Sequence, residues 1–204
     1  MKYCGYFIGT WRIDMQNLLV IMDMNNGFAK KGNLFSPRTA NLINPIADYC
    51  KKSKEKGWTI LALSDTHDPQ DIEMEAFPSH CLAGSDESEV VDEIKPYCDF
   101  ILPKFTTGGF FEIQEASQEN KSLDLRRYEE IHVVGCCTDL CVFNFCLITQ
   151  KHMEYEYHKK RISRIPDIVV HKDLVDTYDS EGHEADKLNR FFWEHMKLNG
   201  IKVE

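Results

Sequence analysis

The chain has 204 residues, 24 Lys and Arg against 33 Asp and Glu, and 43% apolar content, which suits a single domain over residues 1–204 with a sizeable core. A formal charge of −9 repels a phosphate backbone unless a basic face compensates, so nucleic acid is not an expected partner. Leu18 to Met22 and Cys141 to Ile148, among the longest near-apolar runs, fall far short of the roughly 18 to 20 residues that cross a bilayer. Met1 to Asp14 has no apolar segment followed by a small-residue cleavage site. No membrane partner and a cytoplasmic location are therefore expected. The eight cysteines, Cys4, Cys50, Cys81, Cys98, Cys136, Cys137, Cys141 and Cys146, then read mostly as buried thiols and not as a disulfide framework.

Leu18, Leu19, Val20, Ile21 and Met22 form a continuous apolar run ending in Asp23-Met24-Asn25-Asn26-Gly27-Phe28, the pattern of a strand buried on both faces. From Thr39 to Lys56, the positions Leu42, Ile43, Ile46, Ala47 and Cys50 recur at helical spacing before Gly57 stops the helix. Trp58 to Leu63 reads as a second strand. Asp65 to Asp86 is aperiodic and rich in Asp, His, Pro, Gly and Ser, as a long functional loop would be. Phe100 to Leu102 predicts a third strand ending at Pro103-Lys104, and Ile131 to Val134 a fourth ending at Gly135-Cys136-Cys137. A helix is expected to start within Cys141 to Gln150. Beyond it, Lys151, Lys159, Lys160, Arg161 and Arg164 read as a solvated helix end more readily than as an anion-binding patch. Ile168 to Val170 is a fifth strand, and Glu184 to Lys197 a final helix. Alternating strands and helices predict an α/β fold, a single parallel, doubly wound sheet flanked by helices.

In such a sheet, ligands gather beyond the carboxyl ends of the strands. Asp23 follows the first strand, Lys104 the third, and Cys136 to Cys141 the fourth. An acid, an amine and a thiol converging there would make a nucleophile with its base and a charge partner. Backbone N–H groups at a helix start after Gly135 would lower the thiol pKa and stabilise an oxyanion. Each residue alone is ordinary, since a strand-end Asp often caps a turn and a buried Cys usually packs; the signal is their joint placement. A second set, Asp65, His67, Glu73 and His80, offers mixed nitrogen and oxygen donors suited to one divalent transition metal ion such as Zn, Fe or Mn. Asp-x-His also occurs in loops where the Asp caps a turn and the His is a surface donor.

Three motifs carry a resemblance. Asp23-Met24-Asn25-Asn26-Gly27-Phe28 is similar to the Asp-x-x-Asn-(Asp/Gly)-Phe turn of the isochorismatase-like cysteine hydrolases, and Pro103-Lys104 stands where their catalytic lysine lies. Gly135-Cys136-Cys137-Thr138-Asp139-Leu140-Cys141-Val142 resembles their Gly-x-x-Thr-Asp-x-Cys-Val nucleophile turn and is the most specific of the three. Within this superfamily the chain looks most like the nicotinamidases.

The resemblance implies that Asp23, Lys104 and Cys141 are catalytic, with Cys136, Cys137 and Cys146 structural as thiols. It also implies a cis peptide between Cys136 and Cys137, and oxyanion donors in the backbone amides of Cys137 and Cys141. The metal ligands would be Asp65, His67, Glu73 and His80, with Asp71 and Glu75 competing for the place of Glu73. Phe28 and Phe77 would sandwich a flat ring, and Phe110 or Phe111 would close the far wall. The implied activity is that of an amidohydrolase on a linear carboxamide, taking nicotinamide to nicotinate and ammonia through a Cys thioester while a metal orients the pyridine ring. The partner is then a small-molecule amide, and assembly into a homo-oligomer is compatible with it. Asn25 and Gly27 replace the Gln and Asp that many members carry, which keeps another small-amide or ureide hydrolase as an alternative. A non-catalytic protein holding metal on Cys137, Cys141 and Cys146 is a distant alternative, weakened by the absence of a paired Cys-x2-Cys.

Overall fold

A computed structural model of the chain describes residues 16–204; Cys4 and the reading of Met1 to Asp14 lie outside the described residues. Six strands, β1 (Leu18–Met22), β2 (Thr59–Asp65), β3 (Phe100–Lys104), β4 (Glu130–Cys136), β5 (Asp167–Asp176) and β6 (Lys202–Val203), form one parallel sheet in the order β3-β2-β1-β4-β5-β6. The chain begins this sheet at its centre, builds outward to β3, then returns to the other side of β1 for β4. The order reverses between β1 and β4, where open α/β sheets leave a crevice.

β1 is buried throughout because it faces two cores. Leu18, Val20 and Met22 point into one, Leu19 and Ile21 into the other, so both parities must be apolar. The helices are α1 (Asn26–Ala29), α2 (Pro37–Glu55), α3 (Phe110–Glu119), α4 (Phe143–His158) and α5 (Ala185–Leu198). The first core takes Phe110 and Ile113 from α3, Phe145 and Met153 from α4, and Met196 from α5, whereas the second takes Leu42, Ile46 and Cys50 from α2. Helices therefore cover both faces, as the strand and helix alternation predicts. Among the described residues no helix is long and apolar enough to cross a membrane.

Several boundaries move for local reasons. α2 starts at Pro37, because the Ser36 hydroxyl accepts from the Arg38 N–H at 3.2 Å and Pro37 occupies the first helical position, a start signal that apolar spacing alone passes over. β2, β3 and β4 run on past their apolar runs, so Asp65 and Lys104 are strand residues paired with each other in register. β5 continues to Asp176 past an irregularity opposite Val133 and Gly135. α3 and β6 have no counterpart in the sequence reading. The basic segment is surface, as expected: Lys151 pairs with Glu154 at 3.0 Å, Arg161 with Glu156 at 2.8 Å and Arg164 with Glu129 at 2.8 Å. The seven described cysteines are all free thiols.

Gly135 marks the tightest approach of β4 to β1. Its φ is 110°, and a Cβ there would stand 2.0 Å from the Met22 carbonyl oxygen. Gly135→Ala should therefore cost about 3 to 4 kcal/mol, from the strained φ and the displaced strand together. Urea unfolding of the two proteins measures this, and an unchanged midpoint would contradict the packing of β4 on β1.

Candidate active site

β1 gives way to Asp23, whose φ of 51° turns the chain out of the sheet while its N–H still donates to the Leu63 carbonyl at 3.0 Å. β3 ends on Lys104, a side chain only 1% exposed. Gly109 packs against the Lys104 stem so closely that a Cβ there would lie 2.9 Å from Cδ. β4 runs into a π-helical turn, Thr138–Val142, which carries Cys141. These strand ends meet: Lys104 Nζ lies 3.1 Å from Asp23 Oδ2, 2.5 Å from Asp65 Oδ1 and 3.7 Å from Cys141 Sγ. The Asp23 contact is an ion pair off the hydrogen-bond direction, which leaves both buried carboxylate oxygens of Asp23 without a directed donor.

The charges in this cluster are unevenly held. Burial pushes the Asp23 carboxyl up to about 7, with Asp65 adding to the rise and Lys104 opposing it. Burial also works against ionisation of Asp65, but Lys104 and the His67 and His80 contacts outweigh it and hold that carboxyl well below the usual range. Burial would discharge Lys104, yet Asp23, Cys141 and Asp65 keep it charged. The Cys141 thiol is driven well above its ordinary value, first by burial and then by Asp23 and Asp65, against the pull of Lys104. This corrects the sequence-based expectation of a thiol lowered by its turn. Two carboxylates and a dry environment outweigh one ammonium and the local N–H groups, so the resting sulfur carries its proton.

Beside this cluster, Asp65 Oδ2 lies 3.0 Å from His67 Nε2 and 3.1 Å from His80 Nε2, and the three ligand atoms fall within 4.8 Å of one another. The other ring nitrogens are engaged outward: His67 Nδ1 is 3.0 Å from Asp71 Oδ2, and His80 Nδ1 is 2.8 Å from the Pro78 carbonyl. Both Nε2 atoms are thus turned inward, and His67 Nε2 is buried without a hydrogen-bond partner. Two imidazole nitrogens and a carboxylate oxygen, each fixed from behind, fit a divalent transition metal ion. Glu73 lies at the edge of this group, 4.0 Å from His67 Nε2. Asp71 orients His67 and does not compete for the ligand position, while Glu75 is exposed.

A cavity of about 450 Å³ opens over these residues, lined by Asp23, Asp65, Glu73, His80, Cys137 and Cys141 among others. Phe28 and Phe77 both line it, with ring centroids 5.6 and 6.3 Å from that of His80. The Cys136–Cys137 peptide is cis, and Cys136 donates its thiol to the Asp23 carbonyl at 3.3 Å. Phe110 and Phe111 are not in the lining. Phe110 is buried against His152, and Phe111 is 62% exposed on the outer side of α3, because successive helical residues cannot share a face. Two lining aromatics the sequence did not reveal are Phe35 and Tyr178, the latter stacked on His183 at 3.9 Å and 4°. The sequence trace of Tyr178 is Asp139 in the nucleophile turn, whose Oδ2 lies 2.7 Å from Nε2 of its stacking partner His183. Arg38 is the unforeseen cation of the lining.

A parallel α/β sheet with an acid, an amine and a thiol meeting at adjacent strand ends defines the class of protein. Residues 17–197 match the isochorismatase domain, and the chain belongs to the isochorismatase family. It is 29% identical over 180 residues to nicotinamidase 1 of Arabidopsis thaliana, covering 82% of this chain and 72% of that protein. The fold is shared with the pyrazinamidase of Pyrococcus horikoshii solved in complex with zinc, at a TM-score of 0.72 and 22% identity over 93% of this chain and 98% of that one. It is shared equally with N-carbamoylsarcosine amidase of Thermoplasma acidophilum, at a TM-score of 0.71 and 22% identity over 93% and 96% of the two chains.

A protonated resting thiol has a kinetic signature. Alkylation of Cys141 by iodoacetamide, followed by peptide mass mapping in the absence of substrate, should accelerate continuously from about pH 7 to about pH 9. A rate already level below neutrality would mean a standing thiolate.

Proposed function

We propose that the chain is a single cysteine hydrolase domain and acts as a nicotinamidase, converting nicotinamide to nicotinate and ammonia through a thioester on Cys141. The observation that carries this reading is the contact of Lys104 Nζ with Asp23, Asp65 and Cys141 at 3.1, 2.5 and 3.7 Å, beside a three-donor cluster in the same cavity. The similarity to a plant nicotinamidase supports the substrate class.

In this reading the carboxamide carbon meets Cys141 Sγ as Asp23 takes the thiol proton, which its free oxygens and raised affinity for a proton equip it to do. Lys104 stays charged and holds the negative groups in register. The backbone amides of Cys137 and Cys141 hold the oxyanion, Asp23 returns its proton to departing ammonia, and a water activated by Asp23 then cleaves the thioester. Phe28 and Phe77 flank the flat ring. A divalent ion such as Zn, Fe or Mn on Asp65, His67 and His80, with Glu73 beside them, would supply a docking point for the ring nitrogen or for a water bonded to it.

Charge bears on the rival substrates. The cavity lining carries Asp23, Asp65, Glu73 and Asp179 against one guanidinium, Arg38. That guanidinium is itself bound to Asp176, Asp179 and Asp186 at 2.9, 3.4 and 2.7 Å. Among the described residues, the lining therefore leaves no side-chain cation unpaired for a substrate carboxylate, and its excess of carboxylates favours a neutral amide over an anionic ureide. Another neutral small amide is the remaining alternative. For the structural-metal reading, among the described residues no Cys joins a cluster able to hold a metal, and Cys146 is buried in the apolar core. The free thiols suit a reducing compartment, in keeping with a cytoplasmic enzyme.

Nicotinate formation from nicotinamide by purified protein, compared with an anionic ureide, tests the proposal directly; turnover of the ureide alone would refute it. Cys141→Ala should lower kcat at least about a thousandfold while metal content is unchanged, whereas His67→Ala should lose metal and mainly raise KM. Because Asp23 must be ionised to act as base and is held at about 7, kcat/KM should fall about tenfold per pH unit below that value. A flat profile down to about pH 5 would remove Asp23 from the role.

A further inference from the structure

A network of charge closes one side of the cavity on side chains that take no part in the proposed chemistry. Arg38, in the first turn of α2, reaches across to the end of β5. Its Nε and Nη2 lie 3.0 and 2.9 Å from Asp176 Oδ1, its Nη1 lies 3.4 Å from Asp179 Oδ2, and its Nη2 lies 2.7 Å from Asp186 Oδ1. We propose that Arg38 is a positioning residue: it latches the loop between β5 and α5, fixes Tyr178 as a wall of the cavity, and so sets how tightly the ring of the amide is held. The inference rests on the nicotinamidase reading for its ligand and on the loop alone for its geometry.

The three acids are spaced so that one cation closes the loop. Asp176 is the last residue of β5, Asp179 follows Tyr178, and Asp186 stands in the first turn of α5. Tyr178 is therefore held from both directions along the chain, two residues after one latched carboxylate and one before the next. Two of the carboxylates are also tied to their own surroundings. Asp176 Oδ1 accepts from the Thr177 N–H and Asn189 Nδ2 at 2.8 and 2.7 Å, and Asp179 Oδ1 accepts from the Ala185 N–H at 2.8 Å. On the α2 side, Phe35 and Pro37 line the same cavity as Tyr178 and Asp179. The latch thus joins the two segments that form this wall.

The residue type matters. A guanidinium is a planar fork with donors on three nitrogens, which lets one side chain meet carboxylates from a strand, a loop and a helix; an ammonium offers a single nitrogen. Among the described residues no other cation pairs with these three acids, so without Arg38 they would repel one another. The side chains of Asp179 and Asp186 are 61% and 74% exposed, and ion pairs this open add little to global stability. What the latch governs is the local opening of the loop, which takes far less free energy than unfolding.

The test is a double-mutant cycle on nicotinamide binding, read by calorimetry in the Cys141→Ala background so that no turnover intervenes. Arg38→Gln and Tyr178→Ala should each weaken binding about tenfold, and the two together also about tenfold, because Arg38 acts through Tyr178. A loss of about a hundredfold in the pair would show two independent contributions and overturn the proposal, as would Arg38→Gln binding like its parent. Arg38→Lys should recover part of the loss. In the protein that retains Cys141, Arg38→Gln should raise KM about tenfold, hold kcat within about twofold and leave the urea midpoint nearly unmoved; an equal fall in kcat would refute a positioning role. A further readout needs no ligand. A glutamyl endopeptidase should cut after Glu181 or Glu184, both exposed on the loop, faster in Arg38→Gln than in wild type, because cleavage follows the population of the open form; equal rates would overturn the latch. If the wild type neither binds nor hydrolyses nicotinamide, the functional reading fails, and the cleavage rates still decide the latch.

Discussion

One buried ammonium organises the molecule. Lys104 is among the largest fully buried side chains, and an uncompensated charge in that position would cost several kcal/mol. Asp23 and Asp65 make it tolerable, and both can reach it only because β3, β2 and β1 are neighbours in this order. Asp65 and Lys104 are register partners across β2 and β3, while Asp23 is pinned to β2 by its N–H bond to Leu63. Cys141 arrives from the opposite side, on the turn that follows β4, and the bare backbone of Gly135 lets that strand press against Met22. A slip of one residue in any of these pairings would turn a charged group into an apolar layer, so the sheet register and the site geometry are one constraint.

Asp65 then couples the ammonium to the imidazole pair. One of its oxygens faces Lys104, and the other faces His67 and His80. This accounts for the contrast between two carboxyls that share a single lysine. Asp65 has the shorter ammonium contact, 2.5 Å against 3.1 Å for Asp23, and lies against both imidazoles as well, at 3.0 and 3.1 Å. It holds its negative charge, and that charge, together with burial, pushes Asp23 towards the proton-bound form. A pair of carboxyls driven apart in this way divides its labour, one as a fixed counter-charge and one as a proton carrier near neutral pH. Positive charge arriving at the imidazole side would act on Asp65 first and through it on Asp23.

Much of this was legible in the sequence, because strands buried on both faces must be written as apolar runs and the residues after them are the ones a parallel sheet brings together. Asp23, Lys104 and the Cys136 to Cys141 segment needed nothing further to be found as neighbours, whereas the choice of Cys141 within that segment came from the resemblance of its turn. The extensions of β2 and β3 were hidden because their last residues are the polar site groups themselves, so the apolar pattern ends before the strand does. α3 was hidden because it follows Gly108-Gly109 and buries Glu112, whose carboxylate caps the Phe105 and Thr106 amides at 3.0 and 2.8 Å, placing a charge where periodicity expects an apolar residue. Arg38 and Asp176 are 138 positions apart, a separation at which no local pattern speaks. The direction of the Cys141 shift was missed for a different reason: the sum of burial and like charge depends on distances that a motif does not contain.

The wall of the cavity shows how far the nucleophile turn reaches. Asp139 precedes Cys141 by two residues in the π-helical turn, and its carboxylate holds His183 Nε2 at 2.7 Å. The opposite ring nitrogen, His183 Nδ1, is 2.8 Å from the Tyr178 carbonyl, and the two rings lie nearly parallel in their stack. Both ring nitrogens and one ring face of His183 are thereby committed, which leaves the loop after β5 little freedom to move apart from the turn that carries the sulfur. A wider turn, with its carbonyls offset from the α-helical ladder, is the kind of local departure that helices keep where geometry must serve a site. Here it lets Asp139 and Cys141 serve different partners within one turn, so the aromatic surface that meets a ligand and the atom that would attack it are positioned as a unit.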